Sequence, residues 1–122
     1  MSYDPNNIFA KILRGEIPCK KVYEDEYALA FYDIAPKAPI HVLVIPKGPY
    51  STHDDFVASA GPEEIAGFER AISQVTQATN IDATGYRLIS NCGVNGQQEV
   101  PHYHVHVLGG RLLGPMLQGK SG

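Results

Sequence analysis

Cysteine, basic charge and long apolar runs are all scarce in this chain, and each shortage excludes a class of protein. Cys19 and Cys92 are the only cysteines. Neither has a second Cys or a His nearby at metal-ligand spacing, so we expect free thiols that behave as small buried hydrophobic residues. The longest apolar run, residues 40–46, contains His41 and is far shorter than the roughly 20 residues of a membrane-spanning helix. The first residues show no signal-peptide pattern, so a cytoplasmic protein without a membrane span is predicted.

The charge balance argues against binding to nucleic acid. The chain has ten Lys and Arg residues and 13 Asp and Glu residues, which gives a formal net charge of −3. No basic run is longer than the pair Lys20-Lys21, so a basic face for a polyanion is not expected. The length of 122 residues, 43% of them hydrophobic, suits one domain that folds alone. We expect this domain to span residues 1–122, with a core over about 6–111 and a C-terminal tail over 112–122.

The apolar pattern predicts an α+β domain. Asn6 or Asn7 caps a short helix whose apolar residues begin at Ile8 and which ends at Arg14-Gly15. A long amphipathic helix is predicted from Pro62 to about Asn80, after an irregular segment over 54–61. Strands are predicted over residues 21–24, 27–33, 41–45, 86–90 and 104–108. Together these elements predict a five-stranded antiparallel sheet with one short N-terminal helix and one long helix, the helices covering one face.

Four of the five histidines fall where strands are expected, since the alternation extends the last strand back to His102. His102, His104 and His106 alternate with Tyr103, Val105 and Val107. Because side chains alternate along a strand, the three imidazoles are expected on one face, with about 7 Å between successive residues. His41 begins another strand, whereas His53 lies in a predicted loop and is interpreted as a surface residue.

Three interpretations of the histidines are open from the residues alone. They could line a solvated strand face, or two of them could form part of a three-histidine zinc site that recruits His41. The motif strand offers no carboxylate as a further ligand, which weakens the metal interpretation. In the third interpretation one imidazole attacks phosphorus while a neighbour handles charge or protons. The regular alternation favours the third.

The residues from His102 to Arg111 resemble a known signature. The run His-Tyr-His-Val-His-Val-Leu-Gly-Gly-Arg is similar to that of the histidine triad (HIT) family, and the likeness extends from about Ile8 to Arg111. Supporting segments are residues 8–12, 15–18, 30–36, 41–47, 91 and 98–100. Together they resemble the Hint branch, the purine nucleoside phosphoramidases. The resemblance implies a HIT-like fold and a homodimer joined through the long helix and an edge strand.

The resemblance also implies roles for individual residues. His104 would be the nucleophile that takes up the nucleoside monophosphate, His106 would contact the phosphate, and His102 and His41 would form a supporting hydrogen-bond chain. A second set would bind the nucleotide: Asp33 the ribose hydroxyls, Asn91 with Gln98, Glu99 and Val100 the phosphate region, and Ile8, Phe9, Ile12, Phe31 and Ile34 the base. For the five apolar residues, the sequence alone leaves ordinary core packing as the alternative.

Two departures from the family pattern carry expectations of their own. Many relatives hold a structural zinc with Cys at the positions of Asn7 and Ala10, so we expect no metal there. Gln97 stands where the family commonly has Gly, and a side chain disfavours a positive φ at that position.

The implied function is hydrolysis of purine nucleoside phosphoramidates through a nucleotidyl-histidine, with no cofactor. One alternative is a dinucleoside polyphosphate hydrolase or nucleotidyl transferase that uses the same nucleophile. Another is a purine nucleotide-binding adaptor in which turnover is incidental.

Overall fold

A computed structural model describes residues 3–117, which form three helices and five strands. In chain order these are α1 (Ile8–Leu13), β1 (Lys21–Glu24), β2 (Ala28–Tyr32), β3 (Ile40–Pro46), α2 (His53–Ser59), α3 (Pro62–Ala78), β4 (Tyr86–Ile89) and β5 (Val105–Gly109). The predicted short helix, long helix and five strands are confirmed, with ends that differ by one or two residues. None of the described helices has the length and apolar character needed to cross a membrane.

The five strands form one antiparallel sheet in the order β1-β2-β3-β5-β4. The predicted α+β architecture is therefore confirmed. β3 occupies the centre and pairs with β2 on one side and β5 on the other. In this register Leu43 lies opposite His106 and His41 lies opposite Leu108, which makes His41 and His106 diagonal neighbours.

Alternation along the central strands divides the buried residues into two clusters. Ala28, Ala30, Val42 and Val44 pack with residues of α2 and α3 on one face. Leu29, Phe31, Leu43 and Ile45 pack with Phe9 of α1 on the other face. The expectation that the helices cover one face is therefore wrong. The strands carry apolar side chains on both faces, and α1 covers the second set.

Helix α2 lies where an irregular segment was expected. Thr52 caps it, since its hydroxyl oxygen accepts from Asp55 N–H at 3.2 Å, and Asp54 and Asp55 place negative charge in the first turn. Phe56 is its only buried residue. The segment therefore has no repeating apolar pattern from which a helix could be predicted. His53 is consequently the first residue of a helix rather than part of a loop, and it remains exposed.

Asn7 is the N-cap of α1. The sequence predicted that either Asn6 or Asn7 would cap this helix. Asn7 is buried, and its side-chain oxygen accepts from Ala10 N–H at 2.9 Å. Asn7 and Ala10 are thus joined by a capping hydrogen bond. Both cysteines are free thiols. Cys92 is half-buried, but Cys19 is exposed in the segment before the edge strand β1, so the prediction of a buried side chain is wrong for Cys19.

Candidate active site

The three histidines of the motif lie together on the sheet face that α1 covers. The Phe9 ring packs edge-on against His104, with 5.0 Å between ring centroids, and the His104 and His106 rings are 5.2 Å apart. Tyr103, Val105 and Val107 belong to the opposite core. Only His106 is within β5, since the strand begins at Val105. The alternation predicted for a single strand nevertheless persists through the three preceding residues of the motif, His102 to His104.

His104 has one nitrogen fixed by the backbone and one available. Its Nδ1 lies 2.7 Å from the carbonyl oxygen of His102. A carbonyl can only accept, so Nδ1 carries the proton and Nε2 holds the lone pair. Within residues 3–117, Nε2 has no hydrogen-bond partner, and no fully buried side-chain nitrogen lacks one. Nε2 is therefore a basic nitrogen with access to solvent.

His41 fixes the proton of His106. Lys37 N–H donates to Nδ1 of His41 at 3.0 Å, so the neutral His41 ring carries its proton on Nε2. That Nε2 is 2.9 Å from Nδ1 of His106 and donates to it. His106 must then carry its own proton on Nε2, the second nitrogen of the site without a partner among the described residues. The site thus presents a lone pair on His104 beside an N–H on His106.

His102 is completely buried and engaged at both nitrogens. Its Nε2 donates to the carbonyl oxygen of Pro46 at 2.9 Å, and its Nδ1 lies 2.6 Å from the hydroxyl of Tyr3. The ring itself is therefore not available to a substrate. The residue contributes to the site through its backbone carbonyl, which accepts the hydrogen bond from Nδ1 of His104.

Burial keeps these imidazoles neutral. It is the main reason that the pKa of His102 and of His106 is lowered to about 4, and the nearby imidazole of His104 contributes to both values. Burial also lowers the pKa of His41 and His104, although the His102 carbonyl and the charges of Asp33 and Glu99 oppose it at His104. A lowered pKa means that the neutral, nucleophilic form of His104 persists as the pH falls below 6.5.

Asp33, His41 and His106 form the only candidate metal cluster among the described residues, with their ligand atoms within 4.8 Å of one another. The residues alone did not place this carboxylate beside the triad, because Asp33 follows a different strand, whereas the family resemblance assigned Asp33 to the same site. The proton arrangement nevertheless does not suit a metal. Lys37 N–H occupies the lone pair on Nδ1 of His41, so the neutral ring has its proton, not a lone pair, on the nitrogen that faces the cluster.

The loop between β4 and β5 has backbone donors without partners. Among the described residues, neither Glu99 N–H nor Val100 N–H donates to a protein acceptor. The amide of Asn91 also forms no hydrogen bond within this part of the chain, and Asn91 is half-buried. Adjacent free N–H groups of this kind form a suitable site for an anionic oxygen.

The side chain of Gln98 holds this loop in place rather than facing outward. Its oxygen accepts from Gly93 N–H at 3.0 Å. Its nitrogen donates to the carbonyl oxygens of Ser51 at 2.7 Å and Val100 at 3.0 Å. Ser90 adds a further link, since its hydroxyl donates to the carbonyl of His104 at 2.8 Å. The loop is thereby attached both to the segment before α2 and to the triad.

Gln97 has a positive φ, although a side chain at this position disfavours that conformation. Its φ is 58°, in the left-handed region where glycine has an advantage. The loop therefore keeps the turn at this position and accepts the local strain of a side chain.

The five apolar residues expected around a base are divided between the core and the surface. Phe9 and Phe31 are buried in the core and pack edge-on at 5.7 Å. Ile12 is half-buried, Ile8 is 44% exposed and Ile34 is 98% exposed. Asp33, half-buried beside them, uses one oxygen to accept from Ala35 N–H at 2.7 Å. These residues therefore form an open surface at the edge of the core.

A cavity of about 490 Å³ lies elsewhere and contains no residue of the triad. It shares only Ile12 with the expected base-binding set. Its apolar residues include Leu13, Ile17 and Leu29, and Glu24 lies at its rim between Lys21 and Lys47. Those ion pairs satisfy the charges of the rim, and the cavity does not contribute to the chemistry of the histidines.

Comparison with known proteins decides the family. The model of the HIT domain matches residues 14–113, which is most of the chain. The chain belongs to the HIT family. It is 43% identical over 114 residues to the purine nucleoside phosphoramidase of Escherichia coli strain K12, covering 93% of this chain and 95% of that protein. An uncharacterized HIT-like protein of Azospirillum brasilense is 60% identical over 116 residues, which cover 95% of each chain.

Solved structures of HIT proteins share the fold. A histidine triad protein from Clostridium difficile superposes with a TM-score of 0.84 and is 40% identical, covering 95% of this chain and all of that one. A HIT family hydrolase from Legionella pneumophila has a TM-score of 0.81 and 44% identity, covering 88% of this chain and 95% of that one. The recognition of the family from the motif at residues 102–111 is confirmed.

Sequence reasoning missed three contributors to this HIT site. Tyr3 lies near the N-terminus in a segment without a pattern. Lys37 and Pro46 contribute only backbone atoms, which no side-chain motif can reveal. By contrast, an attacking imidazole was expected to be oriented by a backbone carbonyl on the neighbouring part of the strand, and the carbonyl of His102 takes that place.

Proposed function

We propose that this HIT protein is a nucleotide hydrolase that cleaves the P–N bond of purine nucleoside phosphoramidates. The observation that carries the proposal is the pair of open Nε2 atoms, a lone pair on His104 beside an N–H on His106. An imidazole lone pair is a suitable nucleophile for phosphorus, and an adjacent N–H can donate to a phosphoryl oxygen as charge develops there.

The reaction takes place in two displacements. Nε2 of His104 forms a bond to phosphorus, the bond from phosphorus to the amine breaks, and the amine leaves after taking up a proton. Water then attacks the same phosphorus, its bond to Nε2 breaks, and the nucleoside monophosphate is released. The net reaction adds water across one P–N bond. The His102 carbonyl stabilises the positive charge on the His104 ring while phosphorus is attached, since it accepts from Nδ1.

Two further groups suit this substrate. The free N–H groups of Glu99 and Val100 would hold the phosphate oxygens, with Asn91 near the departing group. The apolar residues Ile8, Ile12 and Ile34, exposed or half-buried beside Phe9 and Phe31, offer area to a flat base rather than hydrogen bonds. A purine gains more from such a surface than a pyrimidine, at about 25 cal/mol per Å² of apolar area buried. The name of the Escherichia coli relative supports the same substrate class.

A leaving-group screen tests this proposal. Purified protein is given matched adenosine, guanosine and uridine phosphoramidates, together with diadenosine polyphosphates, and the kcat/KM of each is compared. We expect purine phosphoramidates to be the best substrates. Preference for a polyphosphate would support the alternative hydrolase, and binding without a phosphorus–nitrogen adduct on the enzyme would support an adaptor.

Activity should survive exhaustive chelation. We expect the kcat/KM for an adenosine phosphoramidate to be unchanged after dialysis against a strong chelator, because the proton on Nε2 of His41 occupies the position that a metal bond would need. Elemental analysis of the same sample measures any metal that remains. Loss of turnover that zinc restores would contradict this expectation.

Replacing Asp33 with asparagine should weaken substrates that carry ribose. A carboxylate can accept from two hydroxyls, and losing hydrogen bonds to a charged acceptor costs about 1.5–3 kcal/mol. The change retains the oxygen that accepts from Ala35 N–H, which limits damage to the loop. The measurement compares kcat/KM for ribose and 2′,3′-dideoxyribose substrates in Asp33→Asn and the wild type. An equal loss for both sugars would indicate structural damage instead.

We also propose that the protein is a homodimer. β4 is an edge strand, and Leu88 lies opposite Val107, so it shares the sheet face covered by α3. Tyr86 and Leu88 are 46% and 45% exposed, which leaves apolar area beside an unpaired strand edge. Light scattering should give about twice the chain mass of 13.3 kDa, and Leu88→Lys should lower that mass. A monomeric wild type would contradict the proposal.

A further inference from the structure

The hydroxyl of Tyr3 contacts a buried imidazole on the distant strand motif. It lies 2.6 Å from Nδ1 of His102, and the two rings pack edge-on with centroids 5.5 Å apart. His102 has no exposed surface. Within residues 3–117, Tyr3 is the only hydrogen-bond partner of Nδ1.

The residues after Tyr3 are attached to both ends of α1. The side-chain nitrogen of Asn7 donates to the carbonyl of Asp4 at 2.7 Å, while its oxygen caps the helix at Ala10. Arg14 donates to the carbonyl of Pro5 at 2.8 Å. Because α1 packs on the triad through Phe9, this anchored segment carries the Tyr3 ring to His102.

The proton positions give the contact a direction. The Pro46 carbonyl only accepts, so Nε2 of His102 carries the proton and Nδ1 holds a lone pair. The phenol of Tyr3 therefore donates to Nδ1. Without the hydroxyl, a buried acceptor would lose its partner, and the ring would either turn, admit water or take up a proton.

We propose that Tyr3 is a positioning residue for the nucleophile. This rests on the proposed function, in which His104 attacks phosphorus. Tyr3 and Pro46 fix the two sides of the His102 ring, and the carbonyl of the same residue accepts from Nδ1 of His104 at 2.7 Å. A fixed, neutral His102 keeps that carbonyl directed at His104 and keeps a positive charge away from the attacking ring. A small displacement of a nucleophile is costly in rate.

The test removes one oxygen atom. Tyr3→Phe retains the ring, and Tyr23→Phe is the matched control, since Tyr23 also donates a phenolic hydrogen bond, to Asp25 at 2.9 Å, on β1. Single-turnover quench measures the rate of nucleotidyl-histidine formation, and equilibrium titration with nucleoside monophosphate measures binding. We expect Tyr3→Phe to slow the chemical step about tenfold with little change in binding, and Tyr23→Phe to match the wild type.

A second measurement does not depend on turnover. Long-range ¹⁵N–¹H correlation spectra report which nitrogen of each histidine ring carries the proton, and we expect the His102 and His104 signals to shift in Tyr3→Phe but not in Tyr23→Phe. Unchanged ring signals, or shifted signals with a rate equal to that of the wild type, would overturn the role of Tyr3. If the wild type forms no adduct with a phosphoramidate, the proposed function fails. The spectra then decide alone whether Tyr3 fixes the histidines.

Discussion

Replacing His104 with alanine should lower kcat/KM for a purine phosphoramidate by about four to six orders of magnitude, the range seen when one member of a catalytic set is removed. His104 is the one motif histidine with an accessible lone pair, since Nε2 of His106 carries a proton and both nitrogens of His102 are engaged. Binding of nucleoside monophosphate should persist, because the contacts proposed for ribose and phosphate lie on Asp33 and the loop before β5. Steady-state kinetics and equilibrium titration measure the two effects separately.

Mapping the intermediate tests the assignment directly. Wild type, His102→Ala, His104→Ala and His106→Ala are quenched with labelled substrate, and any acid-labile adduct is located by mass spectrometry. We expect an adduct on His104 in the wild type and reduced amounts of the same adduct in the variants at 102 and 106. His53→Ala, an exposed position on α2, is the control for loss of a histidine. An adduct on His102 or His106, or an active His104→Ala protein, would overturn the mechanism.

The free energy of unfolding should fall steeply as the pH drops from about 6.5 to 4. His102 is neutral in the folded protein with a pKa of about 4, against 6.5 when exposed. The unfolded chain therefore binds the proton first, and this one group removes about 3 kcal/mol of stability over that interval. His41, His104 and His106 act in the same direction, since burial lowers the pKa of each. The full stabilisation is present above pH 6.5 and is lost in acid.

Urea unfolding at a series of pH values measures this loss. Each excess proton bound by the unfolded chain adds about 1.4 kcal/mol per pH unit to the slope of the unfolding free energy against pH. The slope therefore gives the number of histidines that take up a proton on unfolding. We expect His106→Asn to reduce the slope by up to one proton. The carboxylate of Glu24, with a pKa of about 2, contributes only at lower pH. A stability independent of pH above 4.5 would contradict the prediction.

The fold was largely predictable because its signals are local. The cap at Asn7, the apolar face of α3 and the alternation around the histidines each lie within a few residues, and each was confirmed. Helix α2 was missed because it buries Phe56 alone. The cover on the second face of the sheet was also missed, since the docking of α1 depends on contacts between residues far apart in sequence.

The sequence indicated which histidines lie together, but not which nitrogen of each ring carries the proton. The motif indicated which imidazoles lie on one face, and the structure brings His41 and Asp33 to the same place. The state of each ring depends on partners that leave no mark in a motif, such as Lys37 N–H and the Pro46 carbonyl. The choice between a metal site and a nucleophile depends on these main-chain atoms.

The proton positions of His41 and His102 depend on main-chain atoms of other residues, and this affects which substitutions the site tolerates. Lys37 fixes the proton of His41 through its N–H, and Pro46 fixes that of His102 through its carbonyl. A substitution that retains the backbone path leaves both contacts in place, except that proline at position 37 would remove the N–H. Sequence drift at these two positions is therefore compatible with an unchanged arrangement of protons. Substitutions around the histidines that keep this backbone path therefore leave the proton arrangement of the proposed nucleophile intact.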